Sequence, residues 1–430
     1  MKNNYLLPIL SILVTIFGQS CSTLFTYPDK LTQKERFTFF QKDTAPIKQE
    51  IKIYWDKHSI PFINASNDSD LAFAVGIVHA HLRVDQMELL RYVTQGRLSE
   101  IAGPIPQVKQ LDKALRALNF KRAAQSSLKA MSKESMVWMS RFTEGVNWYI
   151  GQIKKEPVTN RFIDINLKPY TLLEMVTLSR IVSGDLTWAF YAKFLKYAEN
   201  KDWKKVYTFA LNKLKTDSAS FNNTRKFHLM NLIKNFSKSG SNSVVVSGKK
   251  TKTGSAMIAS DPHVGIFLPN FWILLGVKSP KYHAIGYMIP GVPIFGIGRN
   301  KDIAWGGTNM RSISSHLYDV SKLKNSEIKV RKEKIKRRWW FSTTVKIQET
   351  KYGFIFSDID YFDKKKLPYK VALNWIGWQG SDEMLTFLKV TRAKNWKEFK
   401  NAFSTYRVSA MNMLYADRSG NIGMVAAYGQ

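Results

Sequence analysis

The strongest constraint on this chain is a change of period at Ser241. Before it, apolar residues recur at helical spacing; after it, they alternate or fall into short runs bounded by turn residues. The clearest helical stretch is Asp68 to Ile101, with Leu71, Val75, Val78, Leu82, Met87 and Leu90 on one stripe and Asn67 to Asp70 offering N-caps. The same test predicts mostly helix over 105–235, broken at Pro157 and Pro169. Ahead of it, Ile51, Ile53 and Trp55 alternate, a turn follows at Lys57-His58-Ser59, and Ile60-Pro61-Phe62-Ile63 resumes, which predicts two short strands. Lys213 to Gly240 is polar and basic, an exposed connector. From Ser241 to Gln430 the pattern predicts strands and turns. Ser243–Ser247 and Ser255–Ala259 flank a turn at Gly248–Gly254, giving a hairpin with Ser241 at its entrance and a valine run that reads as buried. Further strands are predicted at Glu327–Lys336, Ser342–Glu349, Phe354–Phe356 and Lys370–Trp375.

The first residues look like an export signal. Met1-Lys2-Asn3-Asn4 is weakly positive, Tyr5–Phe17 is apolar but short for a membrane span, and Gly18-Gln19-Ser20-Cys21 has the small residues of a lipoprotein processing site. The expectation is a periplasmic protein of a Gram-negative cell, held to the membrane by lipid on Cys21; plain signal cleavage is the alternative. Residues 22–49 read as a tether. Cys21 is the only cysteine in the chain, which excludes an internal disulfide and a cysteine metal cluster. The net charge of +32 favours anionic partners, but the basic residues are scattered from end to end, as on a solvated surface. The run Lys329–Arg338 reads as a solvated strand pair, and no nucleic-acid partner is expected. Zinc spacings, a P-loop, a dinucleotide fingerprint and an EF-hand loop are absent from the sequence, and glycine-rich 291–298 is interrupted by Pro293 with no helix after it.

Ser241 raises a chemical question. A serine hydroxyl is a weak nucleophile until a base takes its proton. No GxSxG elbow is present. If the peptide bond before a serine is cut, however, the freed α-amine is a base on the same residue, active near neutral pH. Such a cut needs a small residue before the serine, an exposed connector and a rigid strand after it. Gly240, residues 213–240 and Val244–Val246 supply them, although serine before a valine run is a common arrangement.

The stretch Gly240-Ser241-Asn242-Ser243-Val244-Val245-Val246-Ser247-Gly248, then Thr251-Lys252-Thr253-Gly254, Asp261-Pro262-His263, Pro290-Gly291-Val292-Pro293 and Ile303-Ala304-Trp305-Gly306-Gly307-Thr308-Asn309, resembles the penicillin acylase family of N-terminal nucleophile hydrolases. So do Asn395-Trp396-Lys397-Glu398-Phe399, Tyr415–Gly423 and, in the first half, Gly76–Ala80, Gln86-Met87-Glu88, Arg91 and Gly96–Gly103. The resemblance implies an α+β fold, the αββα sandwich of these hydrolases with a largely helical first chain. It implies self-cleavage between Gly240 and Ser241 into an α chain (50–212, followed by the 213–240 spacer) and a β chain starting at Ser241. Ser241 would then be nucleophile and, through its amine, base. His263 would hydrogen-bond and orient that amine, and the Asn309 backbone N–H would be an oxyanion donor. The implied partners are a small N-acylated substrate and the two chains of one precursor.

The sequence departs from the family in three places. Val244 stands where an aromatic is usual. Calcium binding is a family trait, but Met310–Leu317 holds no carboxylate where aspartates are expected, so the expectation is no metal and no cofactor. Family members also continue well past the block that ends here at Gln430, and that segment carries a second oxyanion donor, a supporting arginine and core strands. The C-terminal part of the fold is therefore expected to be missing. Two readings follow: a self-processing acylase for β-lactam side chains, N-acyl homoserine lactones or similar amides, or an inactive relic acting as a basic envelope-binding lipoprotein.

Overall fold

A hairpin opens the described part of the chain's first sheet: β1 (Ile51–Trp55) and β2 (Pro61–Ala65) pair antiparallel across a turn in which the Asp56 carboxylate accepts from the His58 and Ile60 N–H groups. The coordinates are a computed structural model that describes residues 37–153, 167–182, 205, 208, 240–263, 269–310, 312, 315–359 and 369–429. The export signal, Cys21 and the connector up to residue 239 lie outside the described residues. The tether expectation needs correcting at its C-terminal end. Phe37 and Phe40 pack edge-on against each other, Phe40 is buried, and both contact His81. Aromatic side chains here gain more from burial than a solvated arm would.

Helix α1 (Asp68–Thr94) is capped by Asn67, whose side chain accepts from the Asp70 N–H at 2.8 Å. It ends earlier than the predicted Ile101. Gly96 takes φ +58°, the left-handed turn that terminates helices, and a separate one-turn helix α2 (Ser99–Ala102) follows. The buried Asp112 carboxylate accepts from the Leu98 and Ser99 N–H groups and fixes that corner. Asp112 sits on α3 (Pro106–Leu118); α4 (Phe120–Ala130), α5 (Lys133–Ile153) and α6 (Leu172–Val182) complete the first half's described helices.

Helices α1 and α5 touch backbone to backbone. A Cβ on Gly76 would lie 2.1 Å from the Phe142 carbonyl oxygen, and one on Gly145 would lie 2.0 Å from that of Phe73. Beside this contact His79 is fully enclosed. Its Nδ1 accepts from the Gly291 N–H at 3.3 Å, and desolvation holds its pKa down at about 3, so it is neutral.

The second half supplies strands. β3 (Gly240–Val246) and β4 (Met257–His263) form a two-stranded hairpin with Ser241 opposite Pro262. β5 (Ile273–Lys278), β6 (His283–Ile289), β7 (Val292–Asn300) and β8 (Ile303–Asn309) follow, and β9 (His316–Asp319) to β13 (Val371–Asn374) run through β10 (Lys329–Arg337), β11 (Trp340–Thr350) and β12 (Gly353–Ile355). β14 (Met411–Asp417) and β15 (Ile422–Ala427) end the series. Eight strands make one sheet in the order β1-β2-β5-β6-β7-β8-β14-β15, and five make another, β10-β11-β12-β13-β9. The predicted strand at Lys329 and its neighbours are there, as is the solvated basic pair. Two helices appear where strands and turns were expected: α7 (Glu383–Arg392) and α8 (Trp396–Ala402). Their start signals were in the sequence, since Asp382 and Asn395 accept from the Leu385 and Glu398 N–H groups.

Helices cover one face of the eight-stranded sheet, where Ile273, Leu275 and Val277 of β5 join Ile303 and Trp305 of β8 in the main core with α1, α5, α7 and α8. The β3–β4 hairpin lies on the other face, over β8. Gly306, which alternates with Trp305, makes that approach close: a Cβ there would be 2.6 Å from Ser260 Cβ. The hairpin's tip is tied to the β14–β15 turn by Gly248 N–H to Gly420 O at 2.9 Å. The valine run is thus half-buried rather than buried, with Val244 57% exposed on the outer side. These layers establish an α+β architecture.

Gly145→Val would drive a branched side chain into the Phe73 carbonyl and force α5 away from α1. The expected loss is about 3 kcal/mol or more of stability, seen as a lowered midpoint in chemical denaturation.

Candidate active site

The site begins with a divergence of two strands. β7 and β8 are paired only at Gly298–Trp305 and Arg299–Ala304; beyond Trp305 they separate. On its other edge β8 stays paired with β14 through Asn309, and the Met310 N–H bonds to the Ala410 carbonyl. Because N–H groups alternate along a strand, those of Gly307 and Asn309 point away from β14, into the gap that β7 has left. The inner face of the hairpin fills this need. Ser260 Oγ accepts from the Gly307 N–H at 3.3 Å, and Ser241 Oγ accepts from the Asn309 N–H at 3.1 Å.

The same divergence opens a cavity of about 170 Å³, with Ser241 and Asn309 among the residues that line it. Its walls are largely apolar, including Trp272, Ile294, Phe387, Met411 and Met413. Gly296 also lines it, and a Cβ there would meet nothing within 4 Å. One charged pair lies in the wall. Arg180, 2% exposed, donates to Glu383 Oε2 at 2.7 Å and to the Gly377 carbonyl at 3.1 Å. Glu383 Oε1 in turn accepts from the Arg407 and Val408 N–H groups. The pair ties α6 to the start of α7 and to the segment before β14, so it holds three walls together. Asp382, also in the wall, accepts from the Ser135 hydroxyl and from the Ser132 and Leu385 N–H groups.

The structure brings Ser241 and Asn309 together. His263 is placed differently from Ser241 Oγ. In the ladder His263 opposes Gly240 and Asp261 opposes Asn242, so their side chains lie on the hairpin's outer face while Ser241 and Ser260 face inward. There His263 Nε2 is 3.0 Å from Asp261 Oδ2 and 3.4 Å from Asn242 Nδ2. The imidazole thus stands beside the Gly240–Ser241 peptide rather than at the hydroxyl. Sequence reasoning missed Ser260, the Arg180–Glu383 pair and the cavity. Arg180 had no visible signal, because its partner is 203 residues away. For calcium, the residues do not fit: no carboxylate follows Asn309 up to Leu317, and among the described residues no three His, Cys, Asp or Glu cluster as a metal site.

Glu383→Ala would leave the Arg180 guanidinium buried without its counter-ion. The expected cost is about 3–5 kcal/mol, read from thermal unfolding. Replacing both partners with apolar residues (Arg180→Met with Glu383→Leu) should recover much of it.

The family model described as penicillin amidase matches residues 50–428. The acyl-homoserine lactone acylase QuiP of Pseudomonas fluorescens (strain Pf0-1) is 24% identical, over 88% of this chain and 50% of that protein. The penicillin G acylase of Escherichia coli is 22% identical, over 87% of this chain and 53% of its own length. A solved structure of the thermostable penicillin G acylase from Alcaligenes faecalis is similar over 44% of this chain and 35% of that one, at 25% identity and TM-score 0.38. The chain spans about half the length of the curated relatives it matches.

Proposed function

The chain belongs to the penicillin amidase family, and from that premise we propose that it is the nucleophile-bearing part of a self-processing acylase that hydrolyses small N-acyl amides with an apolar acyl group. The relatives named as acylases of homoserine lactones and of penicillin G support the reaction class. One observation carries the reading: Ser241 lines a largely apolar cavity, and its Oγ is 3.1 Å from a backbone N–H that the sheet does not use.

In this reading the Gly240–Ser241 bond is cut first and Ser241 gains a free α-amine. That amine takes the hydroxyl proton as Oγ attacks the amide carbonyl, directly or through one water. The developing oxyanion takes over the Asn309 N–H, a contact worth about 10²–10³ in rate where such donors have been removed. The C–N bond breaks, the amine product leaves with the proton, and water then hydrolyses the acyl ester on Ser241. The acyl chain lies in the cavity, with its apolar lining as the source of affinity at roughly 0.8 kcal/mol per buried CH₂. His263, held by Asp261 and Asn242, would sit beside the new amine and orient it. Export to the periplasm and lipid attachment at Cys21 complete the proposal.

The intact mass of the protein produced in its native host tests this. Two species are expected, one beginning at Ser241; Ser241→Ala should give a single uncut species and lower amide hydrolysis by at least about 10³-fold. A wild-type protein that stays uncut would sink the reading. Acyl selectivity tests the cavity separately. Gly296→Leu fills open space, so kcat/KM for long acyl chains should fall roughly 10–100-fold while an acetyl substrate changes little.

A further inference from the structure

The β10–β11 hairpin carries a surface that the cavity and the nucleophile do not use. Its two faces differ in how they treat charge. On the inner face Arg331 donates to Glu349 at 3.0 Å and to the Arg116 carbonyl at 3.0 Å, Arg116 donates to Glu333 at 3.1 Å, and Ile335 is fully buried. Arg331 there is matched by carboxylates and bound to α3. The outer face bears Val330, Lys332, Lys334 and Lys336 on one strand and Thr344, Lys346 and Gln348 on the other, with no carboxylate. Lys332 lies directly opposite Lys346. Like charges directly opposed across a ladder are destabilising, so this stripe is relieved by an anionic surface laid against it.

At the tip, three successive aromatics face solvent: Trp339, Trp340 and Phe341 are 78, 60 and 83% exposed. Trp339 has φ +59°, a conformation that favours glycine and is unusual for a bulky residue. The turn is nonetheless fixed. The Arg338 N–H donates to the Ser99 carbonyl at 2.9 Å, Arg337 Nε to the Phe341 carbonyl at 2.8 Å, and the Arg338 guanidinium stands 4.4 Å over the Trp339 ring. The rings are therefore held outward by a braced turn, with Lys336, Arg337 and Arg338 directly behind them.

We propose that this tip is a membrane-interface anchor that seats on an anionic phospholipid bilayer. Tryptophan and phenylalanine rings partition to the headgroup level, and cations immediately behind them meet the lipid phosphates. The arrangement suits a bilayer better than a nucleic acid. Stacking on bases needs aromatics interleaved with the cations along a groove, whereas here the rings are gathered at one end and the lysines form a separate stripe.

Flotation of the full chain with vesicles tests the proposal, using phosphatidylcholine alone and phosphatidylcholine mixed with phosphatidylglycerol. Because residues 1–21 have their own apolar stretch, the comparison is between full chains that differ only at this hairpin. Wild type should bind the phosphatidylglycerol vesicles, less so as salt rises. W339S/W340S/F341S should lower that partition at least tenfold with an unchanged circular-dichroism melt. K332Q/K334Q/K346Q should weaken it and flatten its salt dependence. Should the aromatic triple variant fail to fold, Phe341→Ser alone carries the comparison, with a loss of about threefold. Equal partition of variants and wild type overturns the proposal. So does equal binding to neutral vesicles, or binding of an RNA homopolymer that the same substitutions abolish while vesicle binding persists.

Discussion

Two backbone N–H groups on β8 organise the candidate site. A strand inside a sheet has its donors claimed on both edges; β8 does not, because β7 leaves it after Gly298 while β14 stays paired to Asn309. An unpaired donor at partial burial is costly, and the hydroxyls of Ser260 and Ser241 meet that need. Docking the hairpin therefore satisfies the edge of β8 and positions Ser241 in one step. The glycine at 306 is part of the same arrangement, since any side chain there would hold the hairpin off.

The cavity is the other product of the divergence. Where β7 departs, Phe271 and Trp272 ahead of β5 and apolar residues of β6, β7, α7 and β14 line the gap, and the Arg180–Glu383 pair pins the helices that wall it. A buried ion pair adds little net stability over a well-packed apolar pair, but it is severe on any arrangement that separates its partners. It therefore acts mainly to fix which wall meets which.

The basic surplus divides into different physical situations. On the inner face of the β10–β11 hairpin, arginines are paired to glutamates and join the five-stranded sheet to α3; on the outer face lysines stand in a single-sign stripe that leads to three exposed rings. Composition counts these charges alike. Only the pleat of the strands, which sends alternate residues to opposite faces, sorts them.

By itself the sequence determined a good deal. The period change at Ser241, the N-cap at Asn67, the hairpin at the serine and the strands around Lys329 are local properties, set by residues within a few positions of one another. The residues of the candidate site were named from an ordered set of short blocks, and the structure places Ser241 Oγ 3.1 Å from the Asn309 N. Local pattern failed where two signals competed: Gly96 ended a helix whose apolar stripe ran on, and the caps at Asp382 and Asn395 started helices in a stretch that otherwise reads as strands. Tertiary structure alone decided the rest. The face on which His263 lies, the partner of Arg180, the role of Ser260 and the cavity itself depend on register and on contacts across as many as 203 residues. No local property of a chain encodes which distant backbone will leave a donor unclaimed.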